Sequence, residues 1–162
     1  MAIRLLDMGL YEPTYTHVGP DGVNTQIASA RLRAHVLKHI TDFEVFNVPV
    51  RRKLAQDFFR DNAISMVRVH ALTKEDRREP ILFCKDGTFT RDVTSGDMLP
   101  DVFLVDGHHR YARAAMDGEP MIAAWVLELG EWEEFRIVET IELTHEALRA
   151  MPVLQKEWWR RK

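Results

Sequence analysis

The sequence predicts an α+β fold, and three stretches carry that prediction. Residues 103–116 switch from a short apolar run, Phe103-Leu104-Val105, to the pairs Tyr111/Ala115 and Ala112/Met116 at the spacing of one helical face. Between Thr25 and Ile40 the residues Ala28, Leu32, Val36 and Ile40 recur every four positions, with Arg31, His35, Lys38 and His39 elsewhere, as in an amphipathic helix. Ile122-Ala123-Ala124-Trp125-Val126 is a further apolar run of strand length. With 162 residues, 46% of them hydrophobic, the chain can form one core without disulfides or a structural metal.

In chain order, residues 1–24 read as an irregular arm with turns at Gly9, Pro13, Gly19-Pro20 and Asp21-Gly22. The amphipathic helix follows, with its histidines in solvent, then a strand over residues 44–50 ended by Pro49. Leu54/Phe58 and Ala55/Phe59 predict a second helix to about Asn62, opened by Arg51-Arg52-Lys53. Residues 64–72 read as a strand, and residues 73–79 as a charged link before Pro80, which suits the first position of a strand. Residues 88–100, with Gly96 and Pro100, read as a loop able to lie over the following motif as a lid. After the run at 122–126, Gly130-Glu131 marks a turn and residues 135–143 a strand. Thr144 is a suitable N-cap for a helix over 145–151, stopped by Pro152. The expected organisation is one compact domain in three parts: arm and helix (1–43), core (44–129), and a C-terminal strand, helix and basic aromatic tail (130–162).

Composition narrows the setting. A single cysteine, Cys84, excludes an intrachain disulfide and a Cys-based zinc site, and predicts a reducing, cytoplasmic location. No apolar run approaches the roughly 20 residues of a membrane helix, and Met1-Ala2-Ile3-Arg4 does not begin a signal peptide, so no membrane partner is expected. A net charge of −3 argues against a chain-wide nucleic-acid footprint and leaves room only for local patches.

The densest chemistry lies in Asp106-Gly107-His108-His109-Arg110 with Arg113, where strand turns into helix. Gly107 permits a close backbone approach, and Gly118 suits the helix C-cap. Free N–H groups at a helix start, two imidazoles and two guanidiniums form an anion site suited to phosphate. Asp106 has two readings here, as the N-cap or as a reactive or metal-binding carboxylate. His108-His109 lacks the i, i+4 spacing that aims two imidazoles at one zinc, so Mg²⁺ held jointly by Asp106 and nucleotide phosphates is the more natural metal. Phosphoryl transfer would then draw on Arg110, Arg113, His109 and the helix N-terminus. Glu44, Asp42 and Glu12 are candidates for the missing base. Arg51, Arg52 and Lys53 read either as a solvated basic turn or as a phosphate or nucleic-acid contact. In the tail, Trp158 and Trp159 with Arg160, Arg161 and Lys162 read either as a base-stacking, acidic-partner segment or as aromatics docked on their own core.

The series Glu79-Pro80-Ile81-Leu82-Phe83, Asp86-Gly87-Thr88-Phe89, Val105-Asp106-Gly107-His108-His109-Arg110-Tyr111-Ala112-Arg113-Ala114-Ala115, Gly118 and 122–126 resembles the ParB/sulfiredoxin superfamily. The likeness covers the middle third of the chain, and residues 44–127 more loosely. It implies a small mixed sheet with flanking helices: a Pro-Ile-Leu strand, an Asp-Gly turn, a second strand, the His-Arg turn, a helix and a closing strand. It also implies that ATP, ADP or CTP is bound by its phosphates at Gly107, His109, Arg110 and Arg113. Members include partition proteins that load on DNA, sulfiredoxins, nucleases and a free serine kinase. Sulfiredoxin's reactive cysteine has no counterpart, since His108 holds that place and Cys84 lies upstream. The partition proteins' Gly-Glu-Arg-Arg turn is absent too, and the chain is expected to be too short for their helix-turn-helix domain. The turn is closer to the Asp-Gly-x-His-Arg form of the free serine kinase and stand-alone nuclease-like members, which implies roles in phosphate transfer for Asp106, His108, His109 and Arg110.

These readings converge on a Mg²⁺-dependent phosphate-handling enzyme, a nuclease or NTPase, with a small-molecule kinase as the alternative. A non-catalytic nucleotide- or DNA-binding module using 51–53 and 160–162 is a second class, and an anion-binding regulatory domain a third. A homodimer is left open.

Overall fold

The computed structural model describes residues 2–4, 7–9, 12–19, 22–61 and 63–138. The fold is α+β, with two small sheets and flanking helices, and it divides into two compact units: residues 1–32 with 133–162, and residues 33–132. The expected 44–129 core lies within the second unit. No helix among the described residues is long and apolar enough to cross a membrane.

In the first unit, β1 (Tyr15–Val18) and β2 (Asn24–Ile27) form an antiparallel hairpin in which Tyr15 faces Ile27. Its turn closes between Gly19 and Gly22, the latter at φ 79°. The arm at 1–24 is therefore not wholly irregular. Pairing of β2 with β7 (Arg136–Ile137) completes a three-stranded sheet. Because residues 25–27 belong to that sheet, α1 (Ser29–Lys38) starts later than its apolar stripe suggests. Ala28, Leu32 and Val36 are fully buried, as the stripe requires, whereas Ile40 is exposed. His39 is exposed, while His35 is half-buried with its ring 4.7 Å from that of His39. Most of the strand predicted over 135–143, the helix over 145–151 and the basic tail lie outside the described residues.

The second unit is built on a four-stranded sheet of order β3-β6-β4-β5, where β3 is Val45–Pro49, β4 Ile81–Arg91, β5 Met98–Asp106 and β6 Met121–Leu127. β4 and β6 run parallel and the other pairs antiparallel, so the sheet is mixed. Ile81, Phe83, Leu104 and Ala124 on one face pack with Ala55 and Phe58 of α2 (Arg52–Arg60) and Tyr111 of α4 (His108–Met116). The Tyr111 hydroxyl accepts the Arg51 N–H at 2.6 Å, which joins the start of α2 to α4. Alternation along the strands places Leu82, Cys84, Phe103, Val105, Trp125 and Leu127 on the opposite face, also buried. Trp132 of α5 (Leu129–Trp132) meets Phe103 edge-on at 5.5 Å, so Gly130-Glu131 lies in a helical turn rather than a simple reversal.

Two predicted elements differ in kind. Residues 66–71 form α3 (Met66–Ala71), not a strand; only Val69 of this short apolar run is buried, and a run of that length does not distinguish the two periods. Residues 88–100 are not a lid loop but the distal part of the β4–β5 hairpin. Asp86-Gly87 does not reverse the chain. It forms an irregularity between Lys85 and Phe89, with Gly87 at φ 87° and Asp86 Oδ1 accepting the Thr88 N–H at 2.8 Å. The reversal comes at 92–97, where the Asp92 N–H reaches the Asp97 carbonyl at 2.8 Å.

Candidate functional site

β5 ends at Asp106 and α4 begins at His108, so the whole change of direction falls on Gly107. Its φ is 102°, and a Cβ there would lie 2.4 Å from Ile81 Cγ2 on β4. Only glycine fits that left-handed backbone pressed against a core strand. Gly107 is itself the N-cap and, having no side chain, supplies no side-chain cap to this helix start.

Asp106 does not cap the helix. Its Oδ2 accepts Arg110 Nη2 at 2.8 Å and lies 3.3 Å from Arg33 Nε. Arg110 also donates through Nη1 to the carbonyls of Glu79 (2.7 Å) and Pro80 (3.0 Å), which fastens α4 to the entry of β4. Arg33 pairs with the Glu79 carboxylate. Two cations and two carboxylates thus form a neutral chain in which each guanidinium has a carboxylate beside it.

Around it opens a cleft of about 230 Å³. Asp106, Gly107, His109 and Arg110 supply the wall at the β5–α4 turn, Arg33 of α1 adds to it, and Arg68, Leu72, Asp76 and Glu79 supply the side between α3 and β4. His109 Nε2 accepts the Ser65 N–H at 3.1 Å, which fixes a neutral tautomer protonated at Nδ1. Burial, and then the charge on Arg68, hold this imidazole below its ordinary pKa.

The other predicted site residues lie elsewhere. His108 is not among the cleft-lining residues; its ring meets Phe58 edge-on at 4.7 Å, and burial pushes its pKa down to about 4 against the pull of Asp106. Arg113 points its Nε to Asp117 Oδ2 (3.1 Å), which Arg77 also binds, at the far end of α4. Arg51, Arg52 and Lys53 are exposed at the start of α2, while Arg160 and Arg161 lie outside the described residues. Of the candidate bases, Asp42 sits 3.9 Å from His39 Nδ1, Glu44 is exposed before β3, and Glu12 is bound by Arg31 in the first unit.

Arg33, Arg68, Leu72, Asp76 and Glu79 are the cleft residues that sequence reasoning missed. Arg68 was hidden by taking residues 64–72 for a strand, and Arg33 by the wealth of cations around it on α1. Glu79, placed beside the strand-opening Pro80, was the one with a local signal.

The donor set does not fit a resident Mg²⁺. Asp106 Oδ2 already faces two guanidiniums, and among the described residues no three His, Cys, Asp or Glu side chains converge on a metal position. Three guanidiniums and three carboxylates line the cleft, and of these six only Arg68 and Asp76 have no ion pair among the described residues. Asp76 accepts the Thr73 N–H at 3.1 Å, and Arg33 and Arg110 are neutralised by Glu79 and Asp106. Arg68 has no ion pair or hydrogen bond among the described residues, His109 presents Nδ1–H, and the α4 N-terminus presents backbone N–H groups. These are all donors, and they suit an anion.

Compared with known proteins, the chain matches no family model, no curated protein and no solved structure.

Proposed function

We propose that this protein binds a nucleotide, ATP, ADP or CTP, with its phosphate groups in the cleft at the start of α4, and handles phosphate as a nuclease or NTPase. The observation that carries the reading is a group of hydrogen-bond donors, Arg68, His109 Nδ1–H and the α4 N-terminus, along one cleft. The order β4, β5, glycine turn, α4, then β6 parallel to β4, is consistent with a ParB/sulfiredoxin-like core and supports the same reading. Mg²⁺ would arrive with the nucleotide as the counter-ion of its phosphates, and no side chain of the turn is assigned to it.

The binding roles are revised within this proposal. Arg68 is the side chain that meets the phosphate, Arg110 is the brace that holds the turn, and Arg113 lies outside. A second reading, a nucleotide- or DNA-binding module without catalysis, is favoured by one specific observation: Asp106 and His109, the groups best placed to move a proton, are committed to Arg110 and to the Ser65 N–H. Exposed Arg51, Arg52 and Lys53 would serve DNA in that case. The small-molecule kinase alternative requires an acceptor pocket in addition to this cleft.

Calorimetric titration of ATP, ADP and CTP, with and without Mg²⁺, tests the proposal. Binding of one nucleotide is expected to weaken about 10- to 100-fold in Arg68→Ala, the loss of a charge-assisted contact, and to persist in Arg113→Ala. Absence of binding by all three nucleotides would overturn it. Product formation on nucleotide or DNA substrates then separates the enzyme from the module.

A further inference from the structure

The hydrogen bond from the Ser65 N–H to His109 Nε2 does more than orient a ring. Ser65 immediately precedes α3, so the bond ties the start of α3 to the start of α4 across the cleft, with Arg68 in the first turn of the tied helix. It exists only while the imidazole is neutral, because a protonated Nε2 has no lone pair to offer. Burial, Arg68 on α3 and the positive end of α4 oppose a proton on His109. Asp106 on β5 is already paired with Arg110 and Arg33, and Glu79 with Arg33. Asp76, which Thr73 holds by hydrogen bonds, is the one carboxylate lining the cleft with no ion pair among the described residues. In the free protein at neutral pH the bond is therefore closed. An anion seated between Arg68 and the first turn of α4 reverses that balance.

Resting on the reading of the cleft as a phosphate site, we propose that phosphate binds together with a proton, which enters from solvent at His109 Nε2 and releases the Ser65 N–H. The imidazolium then presents two N–H donors instead of one, and the start of α3 is freed to bring Arg68 onto the phosphate. His109 is thus a positioning residue whose charge state couples occupancy of the cleft to the placement of α3.

The test follows the His109 ring and the Ser65 amide by NMR as pH is lowered from about 8 to about 5, a window that brackets an ordinary histidine, without and with pyrophosphate as the probe. The expected result is one shared midpoint for both signals, below the ordinary histidine value in the free protein and raised by about one unit or more, a tenfold coupling, when pyrophosphate is bound. Calorimetry in buffers of different ionisation enthalpy is expected to show proton uptake that His109→Gln abolishes. A Ser65 amide that stays still while His109 titrates overturns the latch. If pyrophosphate shifts the Arg68 and α4 signals but leaves the midpoint unmoved, the proton coupling is wrong and the phosphate site stands. If pyrophosphate moves no cleft signal, the phosphate reading itself falls, and this inference with it.

Discussion

Gly107→Ala isolates the turn on which the cleft depends. At φ 102° an L-residue sits outside its comfortable backbone range, at a cost of about 1–2 kcal/mol. The new Cβ would also lie 2.4 Å from Ile81 Cγ2 and 2.7 Å from Ile81 Cβ, and Ile81 is fully buried on a central strand, with no room to retreat. Overpacking of that kind costs about 1–3 kcal/mol. The sum, roughly 2–5 kcal/mol, is a large fraction of the about 5–15 kcal/mol by which a domain is stable. Gly118→Ala is the control. Its φ of 71° carries the backbone cost, but nothing lies within 4 Å of the added carbon. Urea unfolding followed by circular dichroism is expected to show Gly107→Ala losing at least about 1 kcal/mol more than Gly118→Ala at an unchanged slope. Equal losses in the two variants would refute the argument that the turn is pressed onto β4.

Four further outcomes are expected. His108 has its pKa pushed from 6.5 to about 4, so the folded state resists a proton that the unfolded chain accepts; its stabilising share is full above pH 6.5 and falls away as pH drops toward 4. Unfolding free energies across that range are expected to decline by about 3 kcal/mol more in the wild type than in His108→Gln, and parallel curves would refute this. Tyr111→Phe removes the acceptor of the Arg51 N–H and is expected to cost about 1–2 kcal/mol in the same denaturation assay. Asp106→Asn leaves Arg110 its two carbonyls but strips the charge shared with Arg33; a loss of about 1 kcal/mol is expected, and calorimetry of the variant reports whether phosphate affinity rises with the carboxylate's charge gone. Burial pushes the Cys84 thiol far above its usual range, so thiol reagents are expected to label it only after unfolding, and rapid labelling of the native protein would contradict its buried place on β4.

Much of the frame was legible where apolar spacing had one interpretation. The stripe Ala28, Leu32 and Val36 is buried on α1, the run 122–126 lies within β6, and residues 52–60 form α2 behind Pro49. Failures occurred where a short segment satisfied two periods. In 66–71, Val69 alone is buried, and both strand and helix can bury one residue in six. Asp86-Gly87 announced a turn, and the same left-handed glycine served an irregular strand instead. At the site, Asp106, His109 and Gly107 were recognisable from their position at the strand-to-helix switch. Their division of labour was not, because the partners of Asp106 and Arg110 come from α1 and from the entry of β4, distant in sequence. Arg113, three residues beyond Arg110, was grouped with it by proximity along the chain; on the helix it meets Asp117 one turn further on.

The nesting of one unit inside the other sets an order for synthesis. Residues 33–132 form an unbroken stretch with both neighbours of β4 in it, so everything its sheet requires has left the ribosome before β7 does. The three-stranded sheet of the first unit is in the opposite situation: β1 and β2 emerge first, and their third strand, Arg136–Ile137, emerges only after the whole inner unit. A nascent chain arrested with residue 132 just outside the ribosome would therefore expose the outer edge of the β1–β2 hairpin while the cleft is already built. Arrested chains of that length, probed by limited proteolysis, are expected to be cut in the N-terminal hairpin and to resist cleavage between α2 and β6.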